Sequence, residues 1–363
     1  MSKAAELAAL IGSQTALSNR NLVINGAMQC WQRATAATAA NNTFTTVDRF
    51  RPDESTDGAY TTEQSTDTPT GSGFSLKAQV TTADTSIAAS QFALIQQTIE
   101  AQNCQSLEYG TSTAKSLTLS FFVKSSKTGI YTIVLRKVDT TAYHFVHEYT
   151  INSANTWEKK TITISPTAGS TTFITSSGGA IANDNGQGLQ INFNLAFGST
   201  YNGGTSNAWS SNTNHYATSN QVNWMDSTSN NFYLTQVQLE VGEQATPFEH
   251  RSFADEFIRC QRYHQRFTDV SNGRVGFGTK TSATNARCIL PFNTPMRATP
   301  AQSVTGTPRF ETGAAAQNVS SINTSGANTL CGSFDATTAS GGSQNDPGVI
   351  DLGDGGYIFD AEL

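Results

Sequence analysis

The chain has 363 residues, long enough for two domains of unequal size, and only 14% of them are charged, against about 25% in a typical soluble domain. Solubility must then come from Thr, Ser, Asn, Gln and Gly, a composition that disfavours long surface helices and favours strands joined by tight turns. With a net charge of -6 and scattered Lys and Arg, the chain has no electrostatic footprint for a nucleic-acid backbone.

No run approaches the eighteen or so apolar residues of a membrane span, and Glu6 interrupts the apolar start, so neither membrane insertion nor a cleaved signal is expected. Cys30, Cys104, Cys260, Cys288 and Cys331 lie far apart with no CxxC pair, which predicts buried free thiols rather than a zinc site or a disulfide framework. No metal and no cofactor are expected.

In chain order, residues 1–20 place Ala4, Leu7, Ala8 and Ile11 on one stripe of a short amphipathic helix ended by Gly12. A helix so short holds only by packing, either on its own domain or on a partner. Residues 21–250 then read as strand, turn, strand. "SLTLSFFVKS" alternates Leu117, Leu119, Phe121 and Val123, and "LQINFNLAF" alternates Leu189, Ile191, Phe193, Leu195 and Phe197. Such strands, half apolar and half Ser, Thr or Asn, predict an antiparallel sandwich, and the lack of helical crossovers argues against a parallel α/β sheet. Trp157 opens one alternating strand and is expected in the core. His144 and His147, three apart in a strand, fall on opposite faces and make no metal pair. "ANDNGQG" lacks the spaced acids of a calcium loop and reads as a hairpin turn.

Between residues 199 and 231 lies a polar insertion carrying Tyr201, Trp209, His215, Tyr216 and Trp224. So many aromatics predict an ordered loop. Tyr201, Trp209, Tyr216 and Trp224 either stack on the flat faces of a sugar or pin the insertion to the sandwich. The next strand, "YLTQVQLEV", alternates Tyr233, Thr235, Val237, Leu239 and Val241 on one face. A helical joint is expected over residues 251–267, capped by Ser252 with Asp255 and Glu256 in its first turn. Phe253, Phe257, Cys260, His264 and Phe267 form a heptad seam there, which would either lie on its own sandwich or bundle copies about an axis. Residues 268–363 return to short strands, such as "RVGFGTKTS" and "ARCILPFN", in a second, smaller β-domain.

No GxSxG, HExxH, Walker A or GxGxxG signature is present. Glu63, Asp67, Glu148, Asp184 and Asp226 qualify as glycosidase carboxylates by residue type alone. No catalytic residue is assigned, and the chain is expected not to be an enzyme.

"SNRNLVINGAMQCWQR", "SLTLSFFVKSSKTGIYTIVL", "ANTWEKKTITI" and "VQLEVGEQATPFEHRSFADEFIRCQRYHQRF" resemble bacteriophage fibre proteins, especially tail fibres of aquatic phages, over about residues 18 to 267. The resemblance implies a jelly-roll sandwich similar to carbohydrate-binding modules, a trimerising helical joint, and a smaller C-terminal β-sandwich near the tip. It also implies a homotrimer in the virion, attached through its N-terminus to another virion protein and binding a host-surface glycan. A capsid head fibre has the same needs. A polysaccharide depolymerase is a third reading, although long fibre enzymes usually repeat a β-helix period and this chain shows none.

Overall fold

The computed structural model describes residues 19–268, 273–313 and 316–363. Residues up to Glu256 form one compact unit and those from Phe257 a second. The expected N-terminal stripe of Ala4, Leu7, Ala8 and Ile11 lies outside the described residues.

In chain order the first unit begins with β1 (Ala36–Thr38), β2 (Arg51–Glu54), β3 (Ala59–Ser65) and β4 (Ser75–Thr82). There follow β5 (Phe92–Glu100), β6 (Leu117–Ser125), β7 (Gly129–Lys137) and β8 (Tyr143–Ile151). Then come β9 (Glu158–Ile164), β10 (Gln187–Phe197), β11 (Ala208–Ser210) and β12 (Asn231–Val241). One sheet runs β1-β3-β4-β12-β6-β9 and the other β11-β8-β7-β10-β5-β2. The two antiparallel sheets form a sandwich.

The core lies between the sheets and follows the alternation in the sequence. Leu117, Leu119, Phe121 and Val123 of β6 are buried, as are Leu189, Ile191, Phe193 and Leu195 of β10. Phe121 joins the layers, its ring meeting Phe193 at 5.1 Å and Tyr149 at 5.3 Å, both edge to face. That geometry suits the ring quadrupoles as well as the burial of area.

Alternation breaks where the strand register slips. In β12 the register against β6 slips between Thr235 and Gln238, with Gln236 at φ 51°. An extra residue reverses which side chains face inward. Phe232 and Leu234 therefore point inward before the slip, and Val237 and Leu239 after it. The single face expected for Tyr233, Thr235, Val237, Leu239 and Val241 is thus corrected: Tyr233 and Thr235, before the slip, lie on the other side. Trp157 is also corrected, since it is only half-buried on the outer face of this sheet. There it donates from Nε1 to Asp67 at 3.0 Å and meets the Tyr233 ring at 6.0 Å. The hydrogen bond from Lys124 holds the Asp67 carboxyl below the usual carboxylate range.

Two distant segments close this unit. Asn25, fully buried at φ 61°, donates from its side chain to the carbonyls of Cys30 and Asp48, and its backbone N–H donates to Glu256 Oε1 at 2.7 Å. Its neighbour Gly26 has no room for a side chain, because a Cβ would meet the Val237 carbonyl oxygen at 2.1 Å. Glu249 accepts from the Asn21 N–H at 2.8 Å, and Arg251 donates to the carbonyls of Asn21 and Val23. The "NLVINGAM" and "FEHRSFADE" segments are therefore two halves of one clasp.

Helix α1 (Phe253–Gln261) is shorter than expected. Ser252 caps it as anticipated, accepting from the Asp255 N–H at 3.1 Å. The seam does not continue, because His264 and Phe267 belong to a strand. Cys260 and His264 are buried, Phe267 meets Phe359 at 6.0 Å, Phe257 is half-buried and Phe253 is 58% exposed.

The second unit contains β13 (His264–Phe267), β14 (Arg274–Ser282), β15 (Asn285–Pro291), β16 (Ala301–Thr305) and β17 (Arg309–Thr312). It ends with β18 (Ala316–Thr324), β19 (Cys331–Thr338), β20 (Pro347–Asp351) and β21 (Gly356–Asp360). Where the sequence suggested a small sandwich, β14-β15-β19-β18-β17-β20 close into a barrel and β13-β21-β16 form a separate sheet. Closure removes the exposed strand edges that a small open sheet would leave. Phe310, Phe334, Ile350 and Tyr357 are among the side chains that fill this unit's core. Of the five thiols, all free, four are buried and Cys331 is half-buried.

Phe121→Ala removes the ring that links the sheets and is predicted to cost about 3–5 kcal/mol. All four tryptophans, Trp31, Trp157, Trp209 and Trp224, precede Phe257, so fluorescence-monitored urea unfolding of the whole chain reads this unit. An unchanged midpoint would contradict the packing.

Candidate functional site

The outward face of β2, β5, β10 and β7 carries a row of polar side chains set by strand register. Arg51 of β2 lies opposite Gln96 of β5, which lies opposite Asn192 of β10. In the adjoining row Gln190 of β10 faces Arg136 of β7, and Arg136 faces His144 of β8. Alternation demands this, because Ile95, Ile191, Ile133 and Leu135 already take the inward positions.

A second bulge supplies the apolar wall. The register between β10 and β5 slips between Asn194 and Ala196, so Leu195 and Ala196 are both buried while Phe197 turns outward. Phe197 stacks on Tyr216 at 5.7 Å and on Phe92 at 6.0 Å. Tyr201 stands edge-on to all three rings, at 6.0 to 6.1 Å from the phenylalanines and 5.7 Å from Tyr216. The insertion brings in the two tyrosines and fastens itself to the sheet through polar contacts. Asn194 donates to the Tyr216 carbonyl at 2.7 Å, and Gln221 accepts from the Thr132 N–H at 2.7 Å.

Together these residues enclose a cavity of about 130 Å³ lined by Arg51, Asp53, Phe92, Leu94, Gln96, Arg136, Asn192, Phe197, Tyr201 and Tyr216. Arg51 pairs with Asp53 at 3.1 Å and also donates to Asn42. Gln96 sits with its amide oxygen toward the same guanidinium. Arg136 donates to Gln190 and, from Nε, to His144 Nε2 at 3.1 Å, and its guanidinium lies 5.1 Å from the Tyr216 ring centre. Asn192 is 1% exposed, yet neither its Oδ1 nor its Nδ2 has a hydrogen-bond partner among the described residues. An unpaired amide at such a place is costly, on the order of 1–3 kcal/mol per group, so a polar group that reached the floor would recover that cost.

Burial shapes the electrostatics. Desolvation lowers the pKa of Arg136 from its usual value, and that of Arg51 too, where Asp53 opposes the shift and Arg136 adds to it. Burial raises the Tyr216 hydroxyl. It depresses His144 to about 4, with Arg136 reinforcing the effect, so the imidazole is neutral and its Nε2 is free to accept from Arg136.

Of the four aromatics singled out in the insertion, Tyr201 and Tyr216 line the cavity. Trp209 and Trp224 do not. Trp209 is 3% exposed, packs on Phe145 at 5.5 Å and donates to the Ser165 carbonyl at 2.8 Å; Trp224 is fully buried against Tyr60 at 5.6 Å. Both indoles pin the insertion, because the sheet below offers them more apolar surface than solvent does. None of Glu63, Asp67, Glu148, Asp184 and Asp226 lines the cavity, and the single carboxylate there is Asp53. Sequence reasoning missed Phe92, Phe197, Arg51, Arg136 and Asn192. An arginine within the apolar "YTIVLRK" was the available signal.

No protein-family model matches the chain, and no curated protein sequence does. Among solved structures, 61% of the chain overlaps all of a candidate sugar-binding protein from Bacteroides thetaiotaomicron, at 10% identity and a TM-score of 0.34. Another 61% overlap covers 22% of the enzymatically active domain of bacteriophage CBA120 tailspike protein 4, at 13% identity and a TM-score of 0.31. A family 11 carbohydrate-binding module of a Clostridium thermocellum cellulase is covered over 92% of its length by 55% of this chain, at 14% identity and a TM-score of 0.29. Overlaps this slight carry no function across, so the groove must be judged by its own residues.

The depressed pKa of His144 makes a pH prediction. The unfolded chain takes up this proton near pH 6.5 and the folded chain only near 4, so the stability contributed by neutral His144 is lost as pH falls between those values. Between pH 7 and 4.5 the loss is on the order of 2 kcal/mol. His144→Gln keeps an acceptor for Arg136 and should lose correspondingly less in urea titrations at the two pH values; equal losses would refute the assignment.

Proposed function

We propose that the chain is a non-enzymatic subunit of a bacteriophage fibre, a tail fibre, whose larger unit binds a host-surface saccharide in the groove beside Phe197. The observation that carries this reading is the conjunction of an aromatic wall with a buried, unpartnered Asn192 on the floor. Sugars present C–H faces to aromatic rings and hydroxyls to amides, so one wall and one floor answer both sides of the ligand. Glycoside cleavage uses two carboxylates, whereas the lining holds Asp53 alone and engages it with Arg51, which favours binding over hydrolysis.

The virion role is supported by the likeness of "SNRNLVINGAMQCWQR" and "CQRYHQRF" to phage fibre sequences. On this reading several copies act together, since weak single sites gain strength by multivalency. Phe253 and Ile258, 58% and 51% accessible, lie five residues apart and hence on different sides of α1, and each is a place where a copy of the chain would meet it, replacing the longer seam expected from the sequence.

Tyr201→Ala and Phe197→Ala should each weaken saccharide binding by about two- to tenfold, the worth of an aromatic contact, as measured by calorimetry with polysaccharide fragments from a susceptible host. Binding untouched by both variants would remove the groove from the reading. Light scattering should give the mass of three chains, and Phe253→Asp combined with Ile258→Asp should reduce it to one. A wild-type monomer would end the trimer proposal.

A further inference from the structure

We propose that the groove selects saccharides bearing a carboxylate, with Arg136 as the counter-ion that receives it. This deepens the saccharide-binding reading and rests on it.

Among the described residues Arg136 touches neutral groups: Gln190 accepts from Nη1, His144 Nε2 accepts from Nε, and the plane sits near the Tyr216 ring. No carboxylate among the described residues forms an ion pair with it, and the influence that opposes the desolvation of its charge is Tyr216. Arg51 differs, being matched to Asp53 at 3.1 Å. The lining thus holds two guanidinium groups and one carboxylate, a surplus of one positive charge, in a chain whose net charge is -6.

A half-buried cation without a counter-ion is costly, and its cost is recovered when an anion arrives. Guanidinium is suited to the task, since its planar fork grips both oxygens of a carboxylate. Gln190 and His144 fix that plane before any ligand binds. Asn192 then offers a donor and an acceptor to a neighbouring hydroxyl, while Phe197 and Tyr201 take the apolar face of the ring. An engineered cavity of about 150 Å³ accommodates benzene, so the 130 Å³ here suits one six-membered ring, with the rest of the chain outside. An uncharged sugar would leave Arg136 desolvated and unmatched, which is how a site rejects an analogue that lacks the expected group.

The test uses the full chain on an array of matched saccharides: oligogalacturonate, oligomannuronate and oligosialate, each beside its carboxyl-reduced form and an O-sulfated neutral form. The acids should bind at least roughly tenfold more tightly than their reduced forms, the worth of one charge-assisted contact. Arg136→Gln should abolish that preference, so that each acid and its reduced form bind with the same affinity. Arg136→Lys, which keeps the charge and loses the fork, should retain part of it. Should Arg136→Gln fail to fold, the wild-type comparison and Arg136→Lys still decide. Equal binding of acids and reduced forms, both weakened by Phe197→Ala, would overturn the carboxylate preference and leave saccharide binding standing. Binding confined to the sulfated forms would also overturn it. Binding to no saccharide at all would defeat the saccharide reading itself, and this inference with it.

Discussion

The slip of register in β10 between Asn194 and Ala196 is the constraint on which the site depends. A strand without it would send Leu195 and Phe197 to the same side, and the core would claim both. One added residue lets a single strand serve two environments. Leu189, Ile191, Phe193, Leu195 and Ala196 fill the space between the sheets, while Asn192 and Phe197 face the groove. Bulges recur beside binding sites for this reason, since they re-aim one side chain at the price of one ladder position.

The insertion completes what the bulge begins. Its tryptophans are anchors, held under it by Phe145, Tyr109 and Tyr60, and its half-buried tyrosines are set against the groove by that anchoring. Hydrogen bonds from Asn194 and Gln221 then fix the segment over β7 and β10. A polar loop of this length would otherwise sample many shapes, and ordering it in advance lowers the entropic cost of binding. The same covering buries Thr132, Val134 and His144, which belong to the outward rows of the sheet. That burial keeps His144 neutral and makes it an acceptor for Arg136. Backbone register, loop packing and side-chain charge are therefore linked in one corner of the sandwich.

The clasp around Asn25 acts at another place by similar means. A left-handed asparagine and a glycine pressed against the Val237 carbonyl bind the start of the described chain to the end of β12. Arg251 adds a buried guanidinium that, unlike Arg136, has its acids at hand in Glu249 and Glu256. The contrast between the two arginines is one of partners, two carboxylates for Arg251 and neutral acceptors for Arg136.

The sequence by itself determined the mainly β class, the inward faces of β6 and most of β10, the cap at Ser252, and the free state of the cysteines. Each of these follows from local rules: period-two alternation, a hydroxyl three residues before an amide, and the lack of paired thiols. Tertiary structure decided the rest. The bulges at Gln236 and Leu195 depend on how one strand's register meets its neighbour's, so no reading of a single strand could place Tyr233 or Phe197 on the correct face. The seam of Phe253 to Phe267 stopped at Gln261 because the next residues pair with β21, almost a hundred positions onward. Tyrosine and tryptophan in the insertion look alike in a string of letters. Only the apolar surface waiting beneath the loop determined which would be buried and which would line the groove, since burial energy follows the area that distant strands supply.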